Sequence, residues 1–201
     1  MKKLFYLLVI VSAAYLSSCQ KDVSVAPDSK TPGSTTAVTP TTTSLTPGST
    51  AATDTIVNLT GYIKIELKKD TFNKDNIIIY FDPHSSASYV PGEDAPHLQG
   101  FGLESLSSLS SDGISLAVNV LPLKQHGDCI KLDASVKSSG LYKLSMIQTD
   151  SIPAKYHVWL MDSFKKDSLD LSVHSGYNFD IYTADTTSFG KNRFSVKIRQ
   201  Q

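Results

Sequence analysis

The chain has 201 residues, 40% of them hydrophobic, and 19 basic side chains balance 19 acidic ones. That balance excludes the strongly basic surface of a nucleic-acid-binding protein, and the apolar fraction is enough for one domain of ordinary size. Two cysteines in this length exclude a disulfide-stapled scaffold.

The first element is an export leader. Lys2 and Lys3 precede an apolar run, Leu4 to Leu16, of thirteen residues, too short to cross a hydrocarbon layer of roughly 30 Å as a helix. Leu16-Ser17-Ser18-Cys19 follows and resembles the lipobox of bacterial lipoproteins. The resemblance implies cleavage after residue 18 and a diacylglycerol on the Cys19 sulfur. Acyl chains contribute about 0.8 kcal/mol per buried methylene, so a multiply acylated Cys19 anchors the chain stably. Gln20 is not the aspartate that retains enteric lipoproteins in the inner membrane. Cys19-Gln20-Lys21-Asp22 is similar to the surface-export signal of Bacteroidetes-type lipoproteins, which implies an outward-facing protein of the outer membrane. With Cys19 lipidated, Cys129 is expected to be a buried strand thiol with no partner in the chain. Losing Lys2 and Lys3 with the leader leaves an excess of two acidic residues.

Residues 19–54 read as a tether. The stretch is rich in threonine and serine, carries Pro27, Pro32, Pro40 and Pro47, and has few large apolar groups. It cannot bury enough apolar surface to offset the entropy of ordering. A coil of this length spans on the order of 30 Å, and a polyproline-like chain roughly 100 Å.

From Thr55 to Gln201 the hydrophobic period is two. Ile63, Ile65 and Leu67 alternate with Tyr62, Lys64, Glu66 and Lys68. Ile130, Leu132, Ala134 and Val136 alternate with Lys131, Asp133, Ser135 and Lys137. Tyr142, Leu144 and Met146, then Phe194, Val196 and Ile198, repeat the scheme. Such alternation places one strand face on a core and the other in water. Asp112-Gly113, Ser138-Ser139-Gly140 and Ser175-Gly176 mark turns. Leu103, Leu106 and Leu109, three apart, also suit a helical turn. The expected architecture is an all-β, antiparallel β-sandwich, Ig-like or jelly-roll in connectivity, of nine to ten short strands.

Several short motifs in this region are shared with a known family. They are Asp94-Ala95, Leu109-Ser110-Ser111-Asp112-Gly113, Leu116-Ala117-Val118-Asn119, Gly140-Leu141-Tyr142, Val158-Trp159-Leu160-Met161-Asp162, Tyr177-Asn178-Phe179 and Arg193-Phe194. In this order they resemble a β-sandwich module of Bacteroidetes surface proteins that precedes the C-terminal sorting domain of secreted adhesin-like proteins. The resemblance covers about Ile78 to Ile198 and implies a fold and a surface location, with no catalytic residues. No sorting domain follows at Gln201, so lipid is expected to replace it as the attachment.

Three sets of residues are candidates for function. The first is the long stretch without periodicity, Asp82 to Gly102. Its Asp82, His84, Glu93, Asp94 and His97 include metal-ligand types but fit no ligand spacing, so no metal is expected. Tyr89, Val90 and Leu98 are expected to cover the second face of the apolar run Ile77 to Phe81. The second is Trp159, which shares a strand face with His157 and Met161 while Tyr156, Val158 and Leu160 point the other way. Inside, the indole is packing; outside, it is a platform for a sugar ring, and Tyr89 is the second aromatic candidate. The third set is Thr55, Ser151, Ser168 and Thr186. Each follows an aspartate and precedes a small or aliphatic residue, similar to the O-glycosylation signal of exported Bacteroidetes proteins. There is no G-x-S-x-G, no phosphate loop and no argued carboxylate pair, and Ser163-Phe164-Lys165-Lys166 matches the S-x-x-K motif only in spelling. The expected protein is therefore not an enzyme, and no cofactor is implied. It displays a binding or adhesion module for a glycan, a matrix component or an envelope partner. The alternatives are an accessory subunit of an envelope transporter or fibre and, more remotely, a hydrolase.

Overall fold

Period-two sequence becomes strand throughout. The computed structural model describes residues 55–100, 102–124 and 129–200, so the leader, Cys19 and the tether to residue 54 lie outside the described residues. Apart from a 3-10 turn at Thr186–Ser188, the regular structure is β1 (Gly61–Lys68), β2 (Lys74–Phe81), β3 (Ala95–Pro96), β4 (Glu104–Leu109), β5 (Ser115–Leu121), β6 (Cys129–Val136), β7 (Gly140–Asp150), β8 (Tyr156–Asp162), β9 (Asp167–Asp170), β10 (Tyr177–Ile181) and β11 (Gly190–Gln200). The segment with the threefold leucine spacing is strand: Leu106 is fully buried in β4, and Leu103 just before it is exposed. The all-β expectation holds.

The pairing corrects the expected antiparallel β-sandwich of nine to ten strands. Eleven strands form one mixed sheet in the order β10-β7-β1-β2-β5-β4-β6-β11-β8-β9, with β3 beside β5, nearly closed into a barrel. The extra strand, β3, has two residues and is too short to show a period. The parallel pair is β2 with β5, Ile78 opposite Val118 through Phe81 opposite Leu121. Parallel neighbours need a crossover of a dozen or more residues, and the long aperiodic stretch after Phe81 forms most of it. Its fixing point is Asp94, whose buried carboxylate accepts the N–H groups of Val90 and Val120, both at 2.7 Å.

The inward faces share one core. Ile63, Ile65 and Leu67 of β1, Ile77, Ile79 and Phe81 of β2, Tyr142 and Leu144 of β7, Val158 and Leu160 of β8, Phe179 and Ile181 of β10, and Phe194, Val196 and Ile198 of β11 are buried together. Each large side chain contributes about 1.5–3 kcal/mol by leaving water. One irregularity breaks the alternation expected in β7. Ile65 pairs with Met146 but Lys64 with Gln148, so Ile147 is an extra residue, and it is exposed. At the entry to β10, Gly176 has φ +137°, and a Cβ there would lie 2.3 Å from Ser145 Oγ and 2.7 Å from Leu144 O. Only glycine fits that turn.

What joins the two ends of the strand path is a buried cation. Arg193 of β11 is 1% exposed. Its Nη2 donates to Asp162 Oδ2 of β8 at 2.9 Å, its Nε to Asp162 Oδ1 at 3.2 Å, and its Nη1 to the carbonyl of Asp180 in β10 at 2.8 Å and to that of Ser188. The guanidinium carbon lies 5.0, 4.7 and 4.6 Å from the ring centres of Phe164, Phe179 and Phe194. Tyr177 of β10 donates its O–H to Asp162 at 3.2 Å and to Asp167 at 3.3 Å. Burial, with Asp162 and Asp167 beside it, pushes the Tyr177 phenol well above its ordinary pKa, so the O–H stays a donor. Side chains rather than a backbone ladder thus tie β10, at one end of the path, to β8 and β9 at the other.

Candidate functional site

The alternation in β8 decides the side on which each residue lies. Tyr156, Val158 and Leu160 are buried in the core, so His157, Trp159 and Met161 point outward, each half-buried. Trp159 is outside the core, on the face where recognition by stacking is possible. Lys197 of β11 and Asp170 of β9 are its cross-strand partners. Arg199, two residues beyond Lys197 on the same face, places its guanidinium carbon 5.9 Å from the indole centre. His157 Nδ1 and Asp170 Oδ2 lie 2.5 Å apart, and Asp170 Oδ1 accepts the Ser172 N–H at 2.8 Å. Burial alone would raise the Asp170 carboxyl, but the His157 and Ser172 hydrogen bonds outweigh it and hold the group below the ordinary carboxylate range. The imidazole is thereby oriented, with Nδ1 engaged, beside Trp159.

Tyr89 is not part of this face. Its backbone N–H donates to Asp112 Oδ1 at 3.1 Å in the β4–β5 turn, while β4, β6 and β11 separate β5 from β8 in the sheet. The two aromatic candidates, Trp159 and Tyr89, therefore lie at separate places on the sheet. The metal-ligand types of the crossover serve the fold: Asp82 Oδ1 accepts the His84 N–H at 2.8 Å, and His97 Nε2 lies 3.1 Å from Asp75 Oδ2. Among the described residues no three His, Cys, Asp or Glu side chains come together as a metal set. Tyr89 and Val90 are half-buried, but Leu98 is 85% exposed and covers nothing. Of the glycosylation candidates, Thr55, Ser151 and Thr186 are exposed, whereas Ser168 is half-buried in β9.

Two features had no place in the sequence reading. Tyr62 of β1 and Tyr80 of β2 are directly opposite each other on the outward face, their rings 6.4 Å apart and 15° from parallel, with the Gln148 amide donating to the Tyr62 hydroxyl. Period two had already set Tyr62 opposite the core residues of β1; the register that brings Tyr80 beside it needed the tertiary pairing. The other feature is Glu104, 6% exposed at the start of β4, with Oε2 lacking a partner and Oε1 3.5 Å from the Tyr142 hydroxyl. Burial raises its pKa, partly offset by the Lys69 charge. The folded chain therefore keeps this proton in a window above the ordinary glutamate value where the unfolded chain has lost it, and stability falls as pH rises through that window. Glu104→Gln is expected to match wild type near pH 4 and to be more stable by on the order of 1 kcal/mol near pH 8. Paired melting curves at the two pH values check this; an equal difference at both would remove the proton from the explanation.

Cys129, expected to be buried, is half-buried at the start of β6, with its Sγ 3.4 Å from Ser195 Oγ. No helix among the described residues is long and apolar enough to cross a membrane. No family model matches the chain, and neither the curated proteins nor the solved structures contain a match to it.

Proposed function

We propose that the chain is an outer-membrane lipoprotein, anchored through Cys19 and facing outward, whose all-β domain binds a glycan at the outer face of β8. The mixed sheet acts in this reading as a sandwich-type module on a Thr/Ser/Pro tether, with no catalytic role. The observation that supports it is the outward position of Trp159, at the centre of a face that also carries Arg199, Lys197 and the oriented His157. An indole presents a broad apolar face at small entropic cost, and sugar rings offer C–H faces that stack on it.

Trp159→Ala tests the reading. A recognition residue should lose glycan binding while lowering stability by about 1 kcal/mol or less, the scale of one exposed cation–π contact. A core aromatic such as Phe179 should instead cost about 3–5 kcal/mol. A glycan array probed with both variants, alongside their melting temperatures, separates the cases; unchanged binding by Trp159→Ala would end the assignment.

The accessory-subunit reading has its own observation. Leu141 of β7 and Tyr182, just after β10, are exposed at the end of the strand path. Co-purification of a stoichiometric envelope protein, lost when Leu141 is replaced by Asp, would favour that reading.

A further inference from the structure

The residues around Trp159 are not those of a neutral surface. Lys197 faces the indole directly from β11, and Arg199 stands over it. One strand further, Lys131 of β6 is exposed opposite Ser195, on the same face. Among the described residues, the acidic groups on this face of β6, β8, β9 and β11 are Asp133 and Asp170. Asp133 accepts the Ser135 hydroxyl at 2.9 Å, and Asp170 is buried and held by His157 and the Ser172 N–H. The accessible charges next to the indole are thus cations, and the nearest carboxylate is turned to the fold. His157, its Nδ1 engaged, adds a positioned ring at the edge of the same patch.

We infer that Trp159, Lys197 and Arg199 form a site for an acidic polysaccharide, one whose sugar rings carry carboxylate or sulfate groups. This rests on the glycan reading of the outer face of β8 and names its ligand class. The sugar ring stacks on the indole, and its anionic group meets the Arg199 guanidinium, whose planar fork donates to two oxygens at once, with Lys197 as a second, more mobile charge. Arg199 now lies over the indole; an anion beside the ring gives it a stronger partner than the π face. Lys131 extends the patch along the sheet, in the direction a polymer would run. A neutral glycan would meet the same indole and leave the cations without counter-charges.

The test uses the full chain purified in detergent and three polymers: polygalacturonate for carboxylate, dextran sulfate for sulfate, and fully methyl-esterified polygalacturonate, which keeps the ring and removes the charge. Binding to one anionic polymer at least tenfold tighter than to the ester, weakening as salt rises, is expected. Arg199→Gln and Trp159→Ala should each weaken that binding about tenfold or more, and Arg199→Lys should recover part of it. Melting temperatures of the variants, expected near that of wild type, show that the domain is intact. The anionic polymer that binds identifies the charged group. Equal binding to the ester overturns the acidic-ligand inference and leaves the glycan reading standing. No binding to any of the three overturns both. Anionic binding that survives Trp159→Ala is non-specific attraction and also overturns the inference.

Discussion

Arg193→Ala is expected to lower folding stability by about 3–5 kcal/mol, the cost of leaving a buried carboxylate without its counter-charge. Against a total of about 5–15 kcal/mol for a domain, that loss is large enough to bring the protein near its unfolding threshold at 37 °C. The effect should exceed ordinary cavity formation because three things fail together. Asp162, 2% exposed, loses its ion-pair partner. The carbonyls of Asp180 and Ser188 lose a donor. The three phenylalanine rings around the guanidinium lose a packing partner. Arg193→Lys keeps the charge but not the fork, and its loss should fall between wild type and alanine. Denaturant unfolding measures all three proteins, and hydrogen exchange locates the damage. Amides of β10 should lose protection first, because Arg193 and Tyr177 carry the link between β10 and the far end of the strand path. A loss below about 1 kcal/mol would mean that the closure stands without the ion pair.

The second large effect is all-or-none. Cys19→Ala is expected to move the protein from the membrane pellet to the soluble fraction and to abolish incorporation of labelled palmitate, since no described segment offers another helical anchor. A mutant that stays in the pellet would overturn the lipoprotein reading. The chain has two cysteines, so a thioether at Cys19 and a disulfide between Cys19 and Cys129 compete for one sulfur. Alkylating the denatured protein with and without reductant, followed by mass measurement, reports which chemistry holds. Labelling of Cys129 that needs no reductant accompanies lipid; labelling only after reduction identifies the disulfide and counts against the anchor.

Much of the fold was legible because period-two patterning is a local signal. Ile63, Ile65 and Leu67 against Tyr62, Lys64 and Glu66 identify a half-buried strand whatever it pairs with, and the same holds for β6, β8 and β11. The alternation in β8 also left two choices for Trp159, and the sequence carried no means of choosing. His157 and Met161 on one face, with Tyr156, Val158 and Leu160 on the other, are both compatible with a core. Only the position of β8 beside β11, with Val196 and Ile198 directed inward, decided it. Burial is a property of what lies opposite, which a single strand does not encode.

Pairing partners, register and long-range charges were decided by the tertiary structure for the same reason. The parallel β2–β5 pair depends on a crossover whose length was visible but whose path was not, so the long stretch after Phe81 read as a loop of open purpose when it carries the chain back to a parallel neighbour. The Tyr62–Tyr80 pair requires a specific register between two strands. Arg193 and Asp162 stand 31 residues apart in the chain, and nothing local distinguishes them from surface charges. They become the clasp of the fold only when the sheet curls and brings β8, β10 and β11 around one guanidinium. The alternation along the chain therefore determined which residues form strands. Which strands meet, which face carries Trp159, and what holds the two ends of the path together follow from contacts between residues far apart in sequence.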